Sequence, residues 1–440
     1  MSETTVISVP RPRTAVAAAP QRLTTARGAA LYIGALLGPG LLLLPGLAAA
    51  EAGPASLLAW AGLLGLSALF AVVFTALGRA FPSAGGVIGY VAAGLGARPG
   101  LAAGWSFLAG VIAGAPVVCL IGAGYLTELT GGGRTGQAVI AAALLLTVLA
   151  LAAGGMRTSA TAQLLMVSLL IVVVVVAVAG SAPSAHAASW TPFAPHGWLA
   201  VGHAATTLML SFVGWEAVAP LTAQFADPAR QLPRVVGITL AVTTVLYLGL
   251  AVVTIAVLGT HGGSMAPLAD LLRRAIGPAG PAAGAVAAVV LTLGAVNAYV
   301  NGAAAMTGRL LGGRDPRRPA AAAARPAADE ANGRRPRRPG RLLLLAAIAG
   351  TGLPLIALYG VGLVSPVSLV AIPTTLFLTV YLGSMLAATR VLRGHGPARL
   401  AAIPATAATA IMLAYCGWAL AVPAAIIAVV TVTGSIRRSR

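Results

Sequence analysis

The sequence predicts an all-α polytopic membrane protein of about twelve transmembrane helices, arranged as a five-plus-five inverted repeat with broken helices 1 and 6. Three observations carry this prediction: the composition, the spacing of the apolar runs, and two helix breaks in corresponding places. Hydrophobic residues make up 58% of the 440 and charged residues 8%, and the mean hydropathy is +0.93. Apolar runs of about 20 residues, the length that crosses a hydrocarbon core of ~30 Å, recur between short polar loops.

The first 27 residues are rich in Arg, Pro and Thr and lack a long apolar region, so they read as a disordered cytoplasmic tail rather than a cleaved signal peptide. Helix 1, near 29–50, is interrupted by Gly38-Pro39-Gly40 in the stretch GALLGPGLLLLPG. The two glycines open backbone conformations closed to other residues, and Pro39 has no N–H with which to continue the ladder. A break inside a membrane exposes backbone groups that only a cavity, a neighbouring helix or a bound solute can satisfy.

Helices 2 to 5 follow near 54–78, 101–127, 136–154 and 160–180. Helix 6, near 198–222, then opens a second set of five with the opposite orientation, so symmetry places a second break there. LMLSFVGWEAVAP supplies it, with Gly214 near the centre, Glu216 two residues on and Pro220 beyond. Helices 7 to 10 lie near 234–258, 283–309, 342–360 and 365–389, and a pair near 398–414 and 417–434 closes the chain. MAPLADLLRRAIG, between helices 7 and 8, has leucines at helical spacing and reads as a short helix on the outer face. The expected organisation is a tail over 1–27, a first repeat over 28–180, and a second over 198–389 that carries an Arg/Pro/Ala-rich loop at 312–340. A terminal helix pair over 398–434 and a basic tail over 435–440 complete it.

The net charge of +19 comes from 28 basic residues, all Arg. With the N-terminus inside, 25 of the 28 fall on inner segments and only Arg134, Arg273 and Arg274 fall outside. The positive-inside rule accounts for the charge without nucleic-acid binding and puts both termini in the cytoplasm. The 312–340 loop sets topology, with contact to anionic lipid headgroups as a second role. Cys119 and Cys416 both sit in apolar runs, which indicates neither a disulfide framework nor a metal site.

Two breaks in corresponding helices of the two repeats are the arrangement of many secondary transporters. The half-helix starting at Gly40 presents its N-terminal N–H groups and positive dipole end, which suit a carboxylate. Taken alone, a proline kink explains the same residues; the matching break favours a site. At the second break, carbonyl oxygens over Ser211, Phe212 and Val213, up to Gly214, are placed to accept from an ammonium. An anion site facing a cation site fits a zwitterion, so the candidate substrate residues are Gly38, Pro39, Gly40, Ser211, Phe212, Val213, Gly214, Trp215, Asn297 and Tyr299. Glu216 is costly at membrane depth and takes one of two roles, gating with proton linkage or capping of the following half-helix. Asn297 and Asn301, one turn apart on helix 8, line the site or bond helix to helix. Trp215 and Tyr299 serve as aromatic gates or as ordinary packing. No zinc-type His/Glu pair, nucleotide loop or other enzyme motif occurs, and no cofactor or metal is expected.

These residues resemble the amino acid/polyamine/organocation (APC) superfamily of permeases over almost the whole chain. The resemblance lies in GALLGPGLLLLPG, in FPSAGGVIGYVAAGLGARPGLAAGW with Pro82, Gly85, Gly86, Tyr90, Pro99, Gly100 and Trp105, and in SFVGWEAVAPLTAQFADPARQLPRVV with Gly214, Glu216, Asp227, Pro228, Arg230, Pro233 and Arg234. NAYV in helix 8 and the tight terminal hairpin make it most similar to bacterial methionine and branched-chain amino acid exporters. The resemblance implies the LeuT-type fold and transport of small neutral amino acids across the cytoplasmic membrane, with uptake of an amino acid or organic amine as the alternative and a non-transporting sensor as another. It places the substrate carboxylate at Gly38 to Gly40 and the ammonium at Ser211 to Gly214, and proton coupling or exchange is the expected energy source. The chain departs from the family pattern in having Pro39 between the two glycines, which removes one N–H, and in having no Lys in helix 5.

Overall fold

The computed structural model describes residues 23–38, 40–81, 86–155, 160–218, 225, 227–259, 266–311 and 339–436. Expectations for Pro39, Pro82, Gly85, Pro220, the 312–338 loop and the terminal stretches 1–22 and 437–440 lie outside these residues. The described residues are almost entirely helical. Predicted helix 1 is α1 (Thr25–Leu36) followed by α2 (Gly40–Ala52). Then come α3 (Ser56–Ala80), α4 (Val87–Leu95), α5 (Ala97–Thr130), α6 (Gly133–Ala153) and α7 (Ala160–Ser181). Predicted helix 6 is α8 (Leu199–Leu208), a tight turn over Met209–Phe212 and α9 (Trp215–Val218). The rest are α10 (Pro228–Leu258), α11 (Pro267–Ile276), α12 (Ala279–Leu311), α13 (Pro339–Gly360), α14 (Pro366–Val391), α15 (Gly396–Ala414) and α16 (Ala421–Ile436).

Local chemistry sets several of these boundaries. Thr24, Asp227 and Ser365 each accept a first-turn N–H with the side-chain oxygen and so start α1, α10 and α14. α10, α11 and α14 also carry proline in the first turn, where the missing N–H has no partner to lose. Among the described residues nine helical stretches are long and apolar enough to cross a membrane, with Gly40–Ala80 counted as one. α1, before the first break, and the stretch Leu199–Phe212, before the second, are individually too short to cross, as a break near mid-span requires.

Two elements differ from expectation. The predicted helix 6 is broken over 209–214, with α8 before the break and α9 described as far as Val218 after it. The stretch after Gly86, where no helix is expected between helices 2 and 3, forms α4 and packs on α5 and α14. Its apolar run VIGYVAAGL buries Val87, Ile88, Tyr90 and Val91.

α5 is the axis of the bundle, packed against α12, α14, α6 and α4. In its most apolar stretch 72% of residues are buried, against 33% in α7 and in α13, whose outer faces carry apolar side chains suited to lipid. α1 lies against α10 and α7, and α2 lies against α8. The start of α1 is held by Phe225, which pairs with Leu23 in an isolated bridge. The Phe225 ring fills the place a side chain at Gly28 would take, since a Cβ there would lie 2.4 Å from it.

Candidate functional site

The two breaks meet in the middle of the molecule. After α1, Leu37 N–H donates to Ile33 O at 2.7 Å and Gly38 N–H turns back to Leu36 O at 2.8 Å, while Leu41 N–H donates to Gly38 O at 3.1 Å. Two N–H groups of this break are therefore engaged within it, and Pro39 has none to offer. At the second break Val213 is extended and Gly214 has φ 148 before α9 begins. That dihedral is open to glycine. A Cβ on Gly214 would also lie 2.5 Å from Ala35 O, so the backbone of α1 passes where a side chain would be.

Polar groups tie the breaks together. The Tyr247 hydroxyl of α10 lies 2.8 Å from Leu36 O and 2.7 Å from Ser211 O. It has one hydrogen to give. Leu36 O already receives Gly38 N–H, so donation to Ser211 O leaves neither carbonyl bare. The Ser211 hydroxyl is buried with no hydrogen-bond partner among the described residues, beside Gly40, where an added Cβ would lie 2.9 Å from it.

On α9, Glu216 folds back as a cap. Its Oε2 accepts from Gly214 N–H at 2.9 Å and from the Tyr381 hydroxyl at 2.5 Å. The same Tyr381 oxygen accepts from Gly214 N–H at 3.0 Å and Trp215 N–H at 3.1 Å, which satisfies donors that the start of a helix leaves over. Glu216 Oε1 is buried without a hydrogen-bond partner among the described residues.

Between the breaks lies a cavity of about 70 Å³. Ala35, Leu36, Gly38 and Gly40 line it from the first break, and Leu210 and Val213 from the second. Gly110, Val111, Gly114, Ala115 and Val118 of α5, Ala295, Val296 and Tyr299 of α12, and Phe377 of α14 complete the wall. Among the described residues of the wall Tyr299 has the one polar side chain.

Of the residues expected to bind substrate, Gly38, Gly40, Val213 and Tyr299 thus line the cavity, Ser211, Phe212, Gly214, Trp215 and Asn297 do not, and Pro39 lies outside the described residues. Ser211 and Gly214 stand just behind the wall. Phe212 packs on Trp60 and Tyr247 at 5.8 and 5.1 Å between ring centres. Trp215 is fully buried against Tyr32, with Nε1 donating to Ser67 Oγ at 2.8 Å. Asn297 receives Asn301 Nδ2 on its carbonyl at 2.8 Å and on Oδ1 at 3.0 Å. Asn301 Oδ1 accepts from Arg341, which also donates to Ala152 O, so this chain of bonds fastens α12 to α13 and α6.

Sequence reasoning missed the α5 wall, Phe377, Tyr247 and Tyr381. Gly110 and Gly114, one turn apart, mark a helix face bare of side chains, and a lone tyrosine in an apolar helix needs a partner for its hydroxyl. Neither signal says which helix is met.

Residues 23–311 match the family model described as amino acid permease. Over 411 residues the chain is 31% identical to the uncharacterized amino acid permease YecA of Bacillus subtilis (strain 168), which covers 92% of this chain and 93% of that one. Over 256 residues it is 32% identical to the L-methionine/branched-chain amino acid exporter YjeH of Escherichia coli (strain K12), covering 57% and 60%. The crystal structure of MhsT in complex with L-phenylalanine shares the fold, with a TM-score of 0.56 over 94% of this chain and 99% of that one at 17% identity. The family match over most of the chain and the relative aligned over nine-tenths of it agree: this chain belongs to the amino acid permease family, as a multi-pass membrane transporter of the LeuT-type fold.

Proposed function

We propose that the chain moves small neutral amino acids with apolar side chains across the cytoplasmic membrane by alternating access, exporting methionine and branched-chain amino acids. The observation that carries this reading is the apolar cavity at the meeting point of the two breaks. A charged side chain buried there would find no partner. An aliphatic or thioether one gains roughly 25 cal/mol for each Å² removed from water. The names of YjeH and of the phenylalanine-bound MhsT support the substrate class, and YjeH supports the direction.

In this reading the substrate carboxylate faces the start of α2 at Gly40, where the helix dipole favours an anion. Because the Gly38 and Leu41 N–H groups are engaged and Pro39 has none, the free Ser211 hydroxyl supplies a donor in their place. The ammonium faces Leu36 O and Ser211 O, each carbonyl having two lone pairs. α1 with α9 and α2 with α8 then form the moving halves that open the cavity to one face or the other. Protons couple through Glu216, both termini are cytoplasmic, and the Arg-rich 312–340 loop meets anionic headgroups.

Flux of radiolabelled methionine and leucine in inside-out and right-side-out vesicles, with and without a pH gradient, tests this. Accumulation by inside-out vesicles is the expected result. Accumulation only by right-side-out vesicles would reverse the direction to uptake, and no flux of any amino acid in either orientation would sink the proposal.

A further inference from the structure

Two glycines of α5, Gly110 and Gly114, stand one helical turn apart in the cavity wall. Packing explains the first. A Cβ on Gly110 would lie 3.2 to 3.3 Å from three carbons of the Phe377 ring, so the close approach of that ring requires glycine. Packing does not explain the second. A Cβ on Gly114 would meet one atom within 4 Å, Pro373 Cβ at 3.6 Å, which is ordinary contact.

Backbone conformation does not explain it either, because Gly114 is inside a continuous helix and its φ is not positive. Glycine in a helix interior is less stable than alanine. A glycine that neither neighbours nor dihedrals demand leaves, where it faces a cavity, the volume of a side chain open in it. The wall at the first break repeats the pattern, since a Cβ on Gly38 would meet nothing within 4 Å.

We infer that Gly114 is a specificity-determining residue, whose missing side chain sets how large an apolar side chain the cavity accepts from the transported amino acid. Branched and thioether side chains lie over Gly114 beside the Phe377 ring, and smaller ones do not reach it. This rests on the cavity being the substrate site, and the test separates the two statements.

Binding of radiolabelled alanine, leucine and methionine is measured on the purified protein and on Gly114→Ala, Gly114→Val and Gly110→Ala. Gly114→Ala is expected to weaken leucine and methionine roughly tenfold or more relative to alanine, the range that one methylene of misfit commands. Gly114→Val is expected to lose them while alanine still binds. Gly110→Ala, which displaces Phe377, is expected to weaken all three alike. A Gly114→Ala leucine-to-alanine affinity ratio equal to that of the wild type overturns the inference, even if the valine variant binds nothing. No binding of any of the three by the wild type overturns the reading of the cavity itself.

Discussion

Replacing Tyr247 with phenylalanine removes one oxygen and leaves the ring. The ring is held edge-on against Trp60 and Phe212, at 5.2 and 5.1 Å between centres, and those contacts survive the change. What is lost is the donor to Ser211 O at 2.7 Å. Leu36 O keeps Gly38 N–H and is not orphaned. The cost is therefore that of one buried carbonyl left without a donor, about 1–3 kcal/mol, and not twice that amount. Tyr247→Ala removes the ring as well, adding the ~3–5 kcal/mol typical of truncating a buried aromatic residue. Thermal unfolding of the purified protein in one detergent should rank the wild type above Tyr247→Phe and Tyr247→Phe above Tyr247→Ala. Leucine binding should weaken in both variants, because the hydroxyl fixes the distance between the two breaks. A phenylalanine variant with wild-type midpoint and affinity would show that the carbonyls do not depend on the hydroxyl, and the reasoning would fail.

Three further outcomes follow from the geometry. Gly214→Ala should abolish substrate binding in protein that still inserts, since it adds roughly 1–3 kcal/mol of backbone strain to a clash with Ala35 O; binding assayed after purification decides it. Glu216→Gln should flatten the pH dependence of flux if the carboxylate carries the proton, whereas an unchanged profile with a lowered unfolding midpoint would restrict Glu216 to capping α9. Arg273→Ala breaks its pairs with Glu128 at 2.9 Å and Asp270 at 3.3 Å, but the Arg273 side chain is 48% exposed. Its stability should stay within about 1 kcal/mol of the wild type, and a larger loss would mean that these bridges do more than exposed ion pairs do.

Those pairs and the cavity mark the limits of what could be read from the sequence. Helices near all twelve predicted places were legible because each needs only a long apolar run and local punctuation, and the breaks because Gly38-Pro39-Gly40 and Gly214 disrupt such runs visibly. Membership of the amino acid permease family was legible through motifs that include the same breaks. The inner walls of the site were not. Gly114 and Phe377 are ordinary residues in apolar helices, and only the packing of α5 against α12 and α14 turns them toward one cavity. Glu216 was legible as a costly residue, but its partner Tyr381 lies 165 positions away on α14. Trp215 and Asn297 were chosen for chemistry that the fold directs elsewhere, to Ser67 and Asn301.

Phe225 seated in the notch at Gly28 has a consequence of its own. Among the contacts that hold the start of α1, beside the bridge at Leu23 and the 3.5 Å bond from Gln231 Nε2 to Leu23 O, is one between a ring and a bare backbone. Contact of this kind is short in range: a gap of about 0.5–1 Å already forfeits a quarter to a half of it. A long polar bond stretches and weakens gradually, whereas this seat is brittle. At this end of α1 the fit of ring to backbone is therefore lost over a displacement of about an ångström.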